Sequence, residues 1–378
     1  MDAELAVIGL GSIGSMALWQ AARQSTSVVG FEAQTTGHSR SAVGGDTRLF
    51  RMTYRDGVNY SPLLVESSRL WETLEAESGL AILNRCSGLS IGAREGNYIP
   101  KVLATARANG TEHILLDRDE LAARYPQHGL RPDDCAIFDP NAGYLRTDLA
   151  VLAAREAARD HGAQVLDHTA VEEIHEESDA VVVRAGANSW RFGRVILAAG
   201  SWSGALLPEQ VAAAVHPRRI YLTWYPARHP ELFAPERFPV FIRIEDDRTL
   251  YGAPSTDGVT VKVTLDGRSE PAAHPDRLIR ELTEGEIAES LDTVSEFLPD
   301  LIPSIVRSDA YPDLYTEDQA PLLGTLPGRP RTILATGFSG LGFKMAPAAG
   351  ARAVAIAHGQ DTGRHPALLP ERFTQLPH

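Results

Sequence analysis

The feature that most constrains this chain is its opening. An apolar run, Leu5 to Ile8, leads directly into Gly9-Leu10-Gly11-Ser12-Ile13-Gly14 and then into a helix-forming stretch, residues 15–23. A second apolar run, Ser27 to Phe31, ends on Glu32, 18 residues past Gly14. A GxGxxG sequence alone is a weak signal, because incidental turns carry it as well. Here strand, glycine turn, helix and acidic residue follow one another in the order a dinucleotide site demands. Gly9 permits the tight turn, Gly11 lets backbone approach a pyrophosphate, and Gly14 lets the helix pack on the strand. The helix start offers free N–H groups and positive dipole to phosphate. Glu32 suits ribose hydroxyls and repels a 2′-phosphate, which argues against NADP.

The remaining elements extend this unit and interrupt it. A Gly- and Ser-rich loop spans Gly37 to Gly45, and a helix near 61–77 carries Leu63, Leu64, Leu70 and Leu74 near helical spacing. Residues 81–145 mix short strands, helices and turns. Thr147 reads as the N-cap of an alanine-rich helix, 148–161, which Gly162 closes. Strand-like runs return at Gln164–Leu166, Val181–Arg184 and Val195–Ala199. Residues 217–265 alternate apolar and polar residues, as an antiparallel sheet would. A helical region at 276–297, a strand at Thr332–Ala335 and a helix near 343–358 complete the chain. The predicted fold is α/β plus antiparallel β, in two interleaved domains. A discontinuous Rossmann-like dinucleotide-binding domain takes 1–80, 146–215 and 318–378; a second domain built on an antiparallel sheet takes 81–145 and 216–317.

The choice of FAD over NAD comes from the later strands. A nicotinamide dehydrogenase usually has one contiguous Rossmann unit and then a catalytic domain. This chain has two more apolar strands ending in glycine, VILAAG at Gly200 and TILATG at Gly337, whose small ends let backbone run close to an extended cofactor.

Acidic residues outnumber basic ones 49 to 36, for a formal charge of −13. Such a surface repels nucleic acid and anionic lipid, so neither is an expected partner. Cys86 and Cys135 are too few for a disulfide framework or a cysteine metal site and read as buried small hydrophobes; no metal is expected. Without a basic leader or an apolar run near 18 residues, a cytoplasmic location follows by default. A monomer or small homo-oligomer is expected.

Three segments make the chain recognisable: Gly45-Asp46-Thr47-Arg48-Leu49-Phe50-Arg51; Tyr251-Gly252-Ala253-Pro254-Ser255 ahead of Lys262; and Gly337-Phe338-Ser339-Gly340-Leu341-Gly342-Phe343-Lys344. With them the chain resembles the monomeric sarcosine oxidase and N-methyltryptophan oxidase family of D-amino-acid-oxidase-like flavoproteins, over nearly its whole length. The resemblance implies oxidation of a small carboxylate-bearing amine by hydride transfer to FAD, hydrolysis of the imine, and reduction of O₂ to hydrogen peroxide. It implies that Arg51 and Lys344 hold the substrate carboxylate and that Lys262 promotes oxygen reduction. Tyr251, Tyr315 and Gly340 match pocket positions, and Thr47 and Arg48 match residues near the flavin ring. The chemistry fits these residue types: a guanidinium fork plus a second cation fixes a carboxylate, and a fixed cation favours electron transfer to dioxygen. The expected cofactor contacts are Gly9, Gly11, Ser12, Ile13, Gly14 and Glu32 from the opening unit, then Arg40, Ser41, Thr47, Val171 and Gly200. Gly337, Gly340, Gly342, Phe343 and Lys344 complete the set from the C-terminal side.

The chain departs from the family pattern at three places. Asp313 stands where the family has its flavin-linking cysteine, so noncovalent FAD is expected. Val43 and Gly44 replace two histidines. Asp266 replaces a histidine four residues after the lysine; it either accepts a hydrogen bond from the substrate, joining Lys262 and Arg48 in the catalytic set, or merely opens an Asp-Gly turn. Three other readings stand beside the oxidase: a flavin dehydrogenase serving an electron carrier, an NAD-dependent dehydrogenase, and a nucleotide-binding protein without catalysis.

Overall fold

The computed structural model of the protein describes residues 1–55, 57–245, 248–266, 270–272, 274–360 and 365–373; the side chains of residues 57–59, 266 and 270 lie outside that description. The Ala3–Ile8 strand lies between two parallel neighbours, Val28–Phe31 and Asn188–Leu197. Gln164–Leu166 adds to the first neighbour, and Arg329–Thr336 pairs parallel with the second. Glu173–Glu176 and Val181–Ala185 continue this sheet in antiparallel fashion, as does Leu322–Leu326 beyond Arg329–Thr336. Strands this apolar must be covered on both faces. The helices Ser12–Arg23, Thr147–Asp160 and Gly342–Ala357 pack together over one of them. Gly350 makes that packing close, since a Cβ there would sit 2.6 Å from the backbone nitrogen of Ala17.

The second sheet runs Glu270–Pro271, Val215–Pro226, Thr260–Asp266, Thr249–Ala253, Val240–Ile244, Gly88–Ala93, Asp134–Asp139 and Ile114–Leu116, with Arg307–Thr316 also on Val215–Pro226. Among the described strands of this sheet, one pairing is parallel: Val240–Ile244 with Gly88–Ala93. The alternation over 217–265 therefore became strands, and their register matters for the site. Ser90 faces Ile242, Ile242 faces Tyr251, and Tyr251 faces Thr264, so one row of side chains crosses four strands. A small third sheet joins Thr47–Phe50, Gly143–Arg146 and Leu83–Arg85.

Two expected elements differ. The helix expected over 276–297 begins at Glu284, where Thr283 and Glu286 form a capping box. Before it, the side chain of Arg219 takes the carbonyls of Ile279 and Glu281, which holds that stretch out of a helix. Thr147 is the first helical residue and Arg146 the N-cap. The Thr147 N–H donates to the Asp46 carbonyl, so the strand before it runs straight into the helix and needs no side-chain cap. Cys135 is buried and Cys86 half-buried. Among the described residues no helix is long and apolar enough to cross a membrane.

Candidate active site

A cavity of about 830 Å³ lies between the helix-covered sheet and the second sheet. Gly9, Gly11, Ser12 and Ile13 line it where the first strand turns into its helix. Gly9 takes φ +85°, and a Cβ there would meet Ala199 Cα at 2.6 Å. Gly14 does not reach the cavity; a Cβ on it would lie 1.8 Å from the Gly9 carbonyl oxygen, so its role is close packing. A Cβ at Gly11 would meet nothing within 4 Å, which leaves bare backbone facing open space at a helix N-terminus that lacks a side-chain cap. Glu32 accepts hydrogen bonds from the N–H groups of Leu10 and Gln34, each at 2.9 Å. Burial would raise its carboxyl, but His38 and these two N–H groups hold it below the usual range.

Arg40, Ser41 and Val171 line the same cavity, as do Gly200 and Gly337, both at positive φ. Gly340, Gly342 and Phe343 line its inner end. Thr47 does not: it is buried behind the wall, and its carbonyl accepts from Arg48 at 2.8 Å.

A second cavity of about 270 Å³ adjoins the first and shares Arg48, Asp313, Gly340 and Phe343 with it. Arg51, Lys344, Tyr251 and Tyr315 all line this smaller space. Lys344 does not touch the larger one. Arg51 is buried and donates to the hydroxyls of Ser90 and Tyr98, both at 3.3 Å. Its guanidinium lies 5.7 Å from the centroid of the Tyr54 ring, and the Lys344 ammonium lies 4.6 Å from the same ring. Desolvation, with the neighbouring Arg51 charge, pushes Lys344 down to about 7. Among the described residues neither cation has a carboxylate partner.

Lys262 is 3% exposed, yet it lines neither cavity. Its ammonium donates to the carbonyls of Gly45 at 3.1 Å and Thr47 at 2.5 Å. Burial, and then Arg48, push it well below the usual lysine range. Arg48 spends its guanidinium on the carbonyls of Ala42, Gly44 and Thr47. Asp313 Oδ2 accepts from the Gly340 N–H at 2.9 Å, and so fixes the turn between the two cavities. Asp266 pairs with Thr249 through its backbone, and its side chain lies outside the described residues. The sequence reading missed Tyr54, Tyr98 and Ser90. Tyr54 sits three residues past Arg51 and was the findable one; Ser90 reaches the site through sheet pairing, and Tyr98 from the start of the Ile99–Ala108 helix.

A family model described as FAD dependent oxidoreductase (DAO) matches residues 4–356. The chain belongs to this family. It is 28% identical over 351 residues to N-methyl-L-tryptophan oxidase from Salmonella arizonae, covering 93% of each chain. It is 27% identical over 377 residues to the enzyme of that name from Salmonella dublin, covering 100% of each. In fold it is similar to NikD, described as an unusual amino acid oxidase essential for nikkomycin biosynthesis, with a TM-score of 0.86, 20% identity and 97% of each chain covered. It is also similar in fold to L-proline dehydrogenase from P. horikoshii, with a TM-score of 0.82, 20% identity and 99% and 98% coverage.

The site residues of this FAD-dependent oxidoreductase fit the cofactor that the family implies. The larger cavity has room for an extended dinucleotide, the bare backbone at Gly11 suits its diphosphate, and the helix start supplies uncapped donors. Glu32 keeps acceptor capacity for a ribose after its two backbone bonds, since a carboxylate has about four lone-pair sites.

Proposed function

We propose that this FAD-dependent oxidoreductase oxidises the C–N bond of a carboxylate-bearing secondary or primary amine, that O₂ is its final acceptor, and that FAD is held noncovalently. The observation that carries the reading is the pairing of Arg51 and Lys344, two cations on one ring in a cavity that adjoins the larger one. Desolvated cations without a counter-ion are costly, and a substrate carboxylate would supply what they lack. Ser90 and Tyr98 preset the direction of the Arg51 fork, which lowers the entropic cost of gripping that carboxylate. The curated relatives support an N-methyl amino acid as one member of the substrate class.

When bound, FAD accepts the hydride and passes the electrons on to the final acceptor. The protein's part is placement and polarisation. Tyr251 and Tyr315 flank the carboxylate site, and Gly340, without a side chain, leaves the passage between the cavities open. Arg48 puts positive charge on the wall shared by the two cavities, and Lys262 stands behind the Gly45–Thr47 turn, which suits stabilisation of charge on reducing dioxygen. Neither cysteine lines either cavity, so no thiol is in place for a thioether, and Asp313 is engaged with the Gly340 N–H instead. Membership of the two large sheets supports the division into an FAD-binding part, 1–80, 146–215 and 318–378, and a catalytic part, 81–145 and 216–317.

One observation favours a second reading, a dehydrogenase that serves an electron carrier: the Lys262 ammonium ends on backbone carbonyls and does not line the cavities. Anaerobic mixing of the yellow protein with N-methyl, cyclic and primary amino acids tests the main proposal. Bleaching by a carboxylate-bearing amine, with peroxide formed on admitting air, is the expected result. Equal bleaching by the same amines without the carboxylate removes the proposal, and bleaching without peroxide selects the dehydrogenase.

A further inference from the structure

We infer that the substrate carries an uncharged, branched or cyclic hydrocarbon group of medium size on its α-carbon; the inference rests on the carboxylate-bearing amine reading above. It starts from strand register. On Val240–Ile244, Ile242 and Ile244 face the smaller cavity, while Phe241 packs into the core behind and Arg243 is held there by Asp134 and Glu245. On Thr249–Ala253, Thr249 and Tyr251 face the cavity. The pairing sets Ile242 against Tyr251 and Ile244 against Thr249, a two-by-two patch without a formal charge.

The patch has a fixed relation to the two cations. Arg51 donates to Ser90, and Ser90 is the direct neighbour of Ile242 across the parallel pairing. Adjacent strands lie about 4.8 Å apart. A carboxylate held by Arg51 and Lys344 therefore brings the next atoms of the same molecule against Ile242 and Tyr251. Ile220 and Tyr311, themselves a cross-strand pair, also line this cavity. Asp313 is the single acidic side chain among its described lining residues, and the Gly340 N–H already engages it. A charged side group laid on the isoleucines would lose water, and the four residues of the patch offer it no charged partner.

Volume sets the size. A dry apolar cavity of about 150 Å³ takes benzene, so about 270 Å³ takes roughly eleven non-hydrogen atoms. N-methylleucine matches that. Sarcosine leaves the patch uncovered, and N-methyltryptophan exceeds the space.

The test uses the FAD-loaded protein and five N-methyl amino acids, the derivatives of glycine, leucine, glutamate, lysine and tryptophan, compared by kcat/KM and by the rate of anaerobic flavin bleaching. The leucine derivative should lead each of the others by about tenfold or more. Ile244→Ala should shrink the ratio between the leucine derivative and sarcosine by about tenfold, with the flavin still bound. If sarcosine, a charged derivative or the tryptophan derivative matches the leucine derivative, the inference is overturned and the amine reading stands. If none of the five bleaches the flavin, the amine reading falls and takes the inference with it.

Discussion

Arg307 grips Asp46 with both terminal nitrogens, at 2.5 and 2.9 Å, across 261 positions of sequence. Asp46 sits at φ +63° between the two residues whose carbonyls receive Lys262, and Arg307 lies 4.1 Å over Trp224, the strand neighbour of Lys262. The pair thus staples the Gly45–Thr47 turn onto the second sheet. Half-exposed ion pairs are weak, and the cation–π contact adds a similar amount, so Arg307→Ala should cost about 1–2 kcal/mol. Thermal unfolding should show Tm lower by roughly 2 °C. A double-mutant cycle with Asp46→Asn should give a coupling of about 0.5 kcal/mol or more; simple additivity would mean that the staple does not hold.

Lys344 makes the carboxylate site pH-sensitive. Its pKa is lowered to about 7, chiefly by desolvation and then by Arg51, so the free protein loses this positive charge as pH rises through neutrality. Since kcat/KM reports the free enzyme, it should fall as pH rises through about 7. Lys344→Met should remove that inflection. Arg51→Ala should raise KM by about tenfold and move the inflection upward. The stability consequence has the same sense as that of an acid whose pKa folding lowers: from about 7 to 10.5 the unfolded chain holds a proton that the folded chain has released, so stability rises with pH across that window. A flat profile between pH 6 and 8 (roughly the span of one titration) would remove Lys344 from the site.

For Lys262, stopped-flow measurements separate two half-reactions. Lys262→Met should leave reduction by the amine little changed and slow reoxidation by O₂ by roughly 10²-fold, through loss of a fixed charge. Unchanged reoxidation would restrict the residue to bracing the Gly45 and Thr47 carbonyls, its visible contacts.

How much of this was legible depended on how local each signal is. The opening strand, turn and helix could be read because Gly9, Gly11, Gly14 and Glu32 act within 32 residues of one another, at spacings set by helix and strand geometry. Arg51, Lys344 and Lys262 were found through resemblance, and nothing in their spacing announces that the first two meet on Tyr54. Ser90 and Tyr98 were invisible, since Ser90 reaches the site through a parallel pairing with a strand about 150 residues later. The late onset of the Glu284–Phe297 helix could have been read from the Thr283–Glu286 box. The missing cap at Thr147 could not, because it depends on the distant Asp46 carbonyl.

Noncovalent attachment gives the fourth prediction. Acid precipitation should leave all the yellow chromophore in the supernatant, with a mass spectrum of unmodified chain; a flavin adduct on the protein would refute it. Glu32→Ala should weaken FAD binding, followed as flavin fluorescence released on dilution, because it removes an acceptor at the ribose end and strands the Leu10 and Gln34 N–H groups. Undiminished retention would place the ribose elsewhere.

The row from Ser90 through Ile242 to Tyr251 has an evolutionary consequence. It behaves as a ruler whose graduations are strand separations, because the anchoring end and the selective end of the site are mounted on one stiff support. Slipping the Val240–Ile244 strand by one residue would present Phe241 and Arg243 in place of Ile242 and Ile244. Such a slip brings a guanidinium into a greasy recess. Retuning this protein toward a new amine is therefore a matter of exchanging single side chains along the ruler, while insertions belong in the turns at its ends.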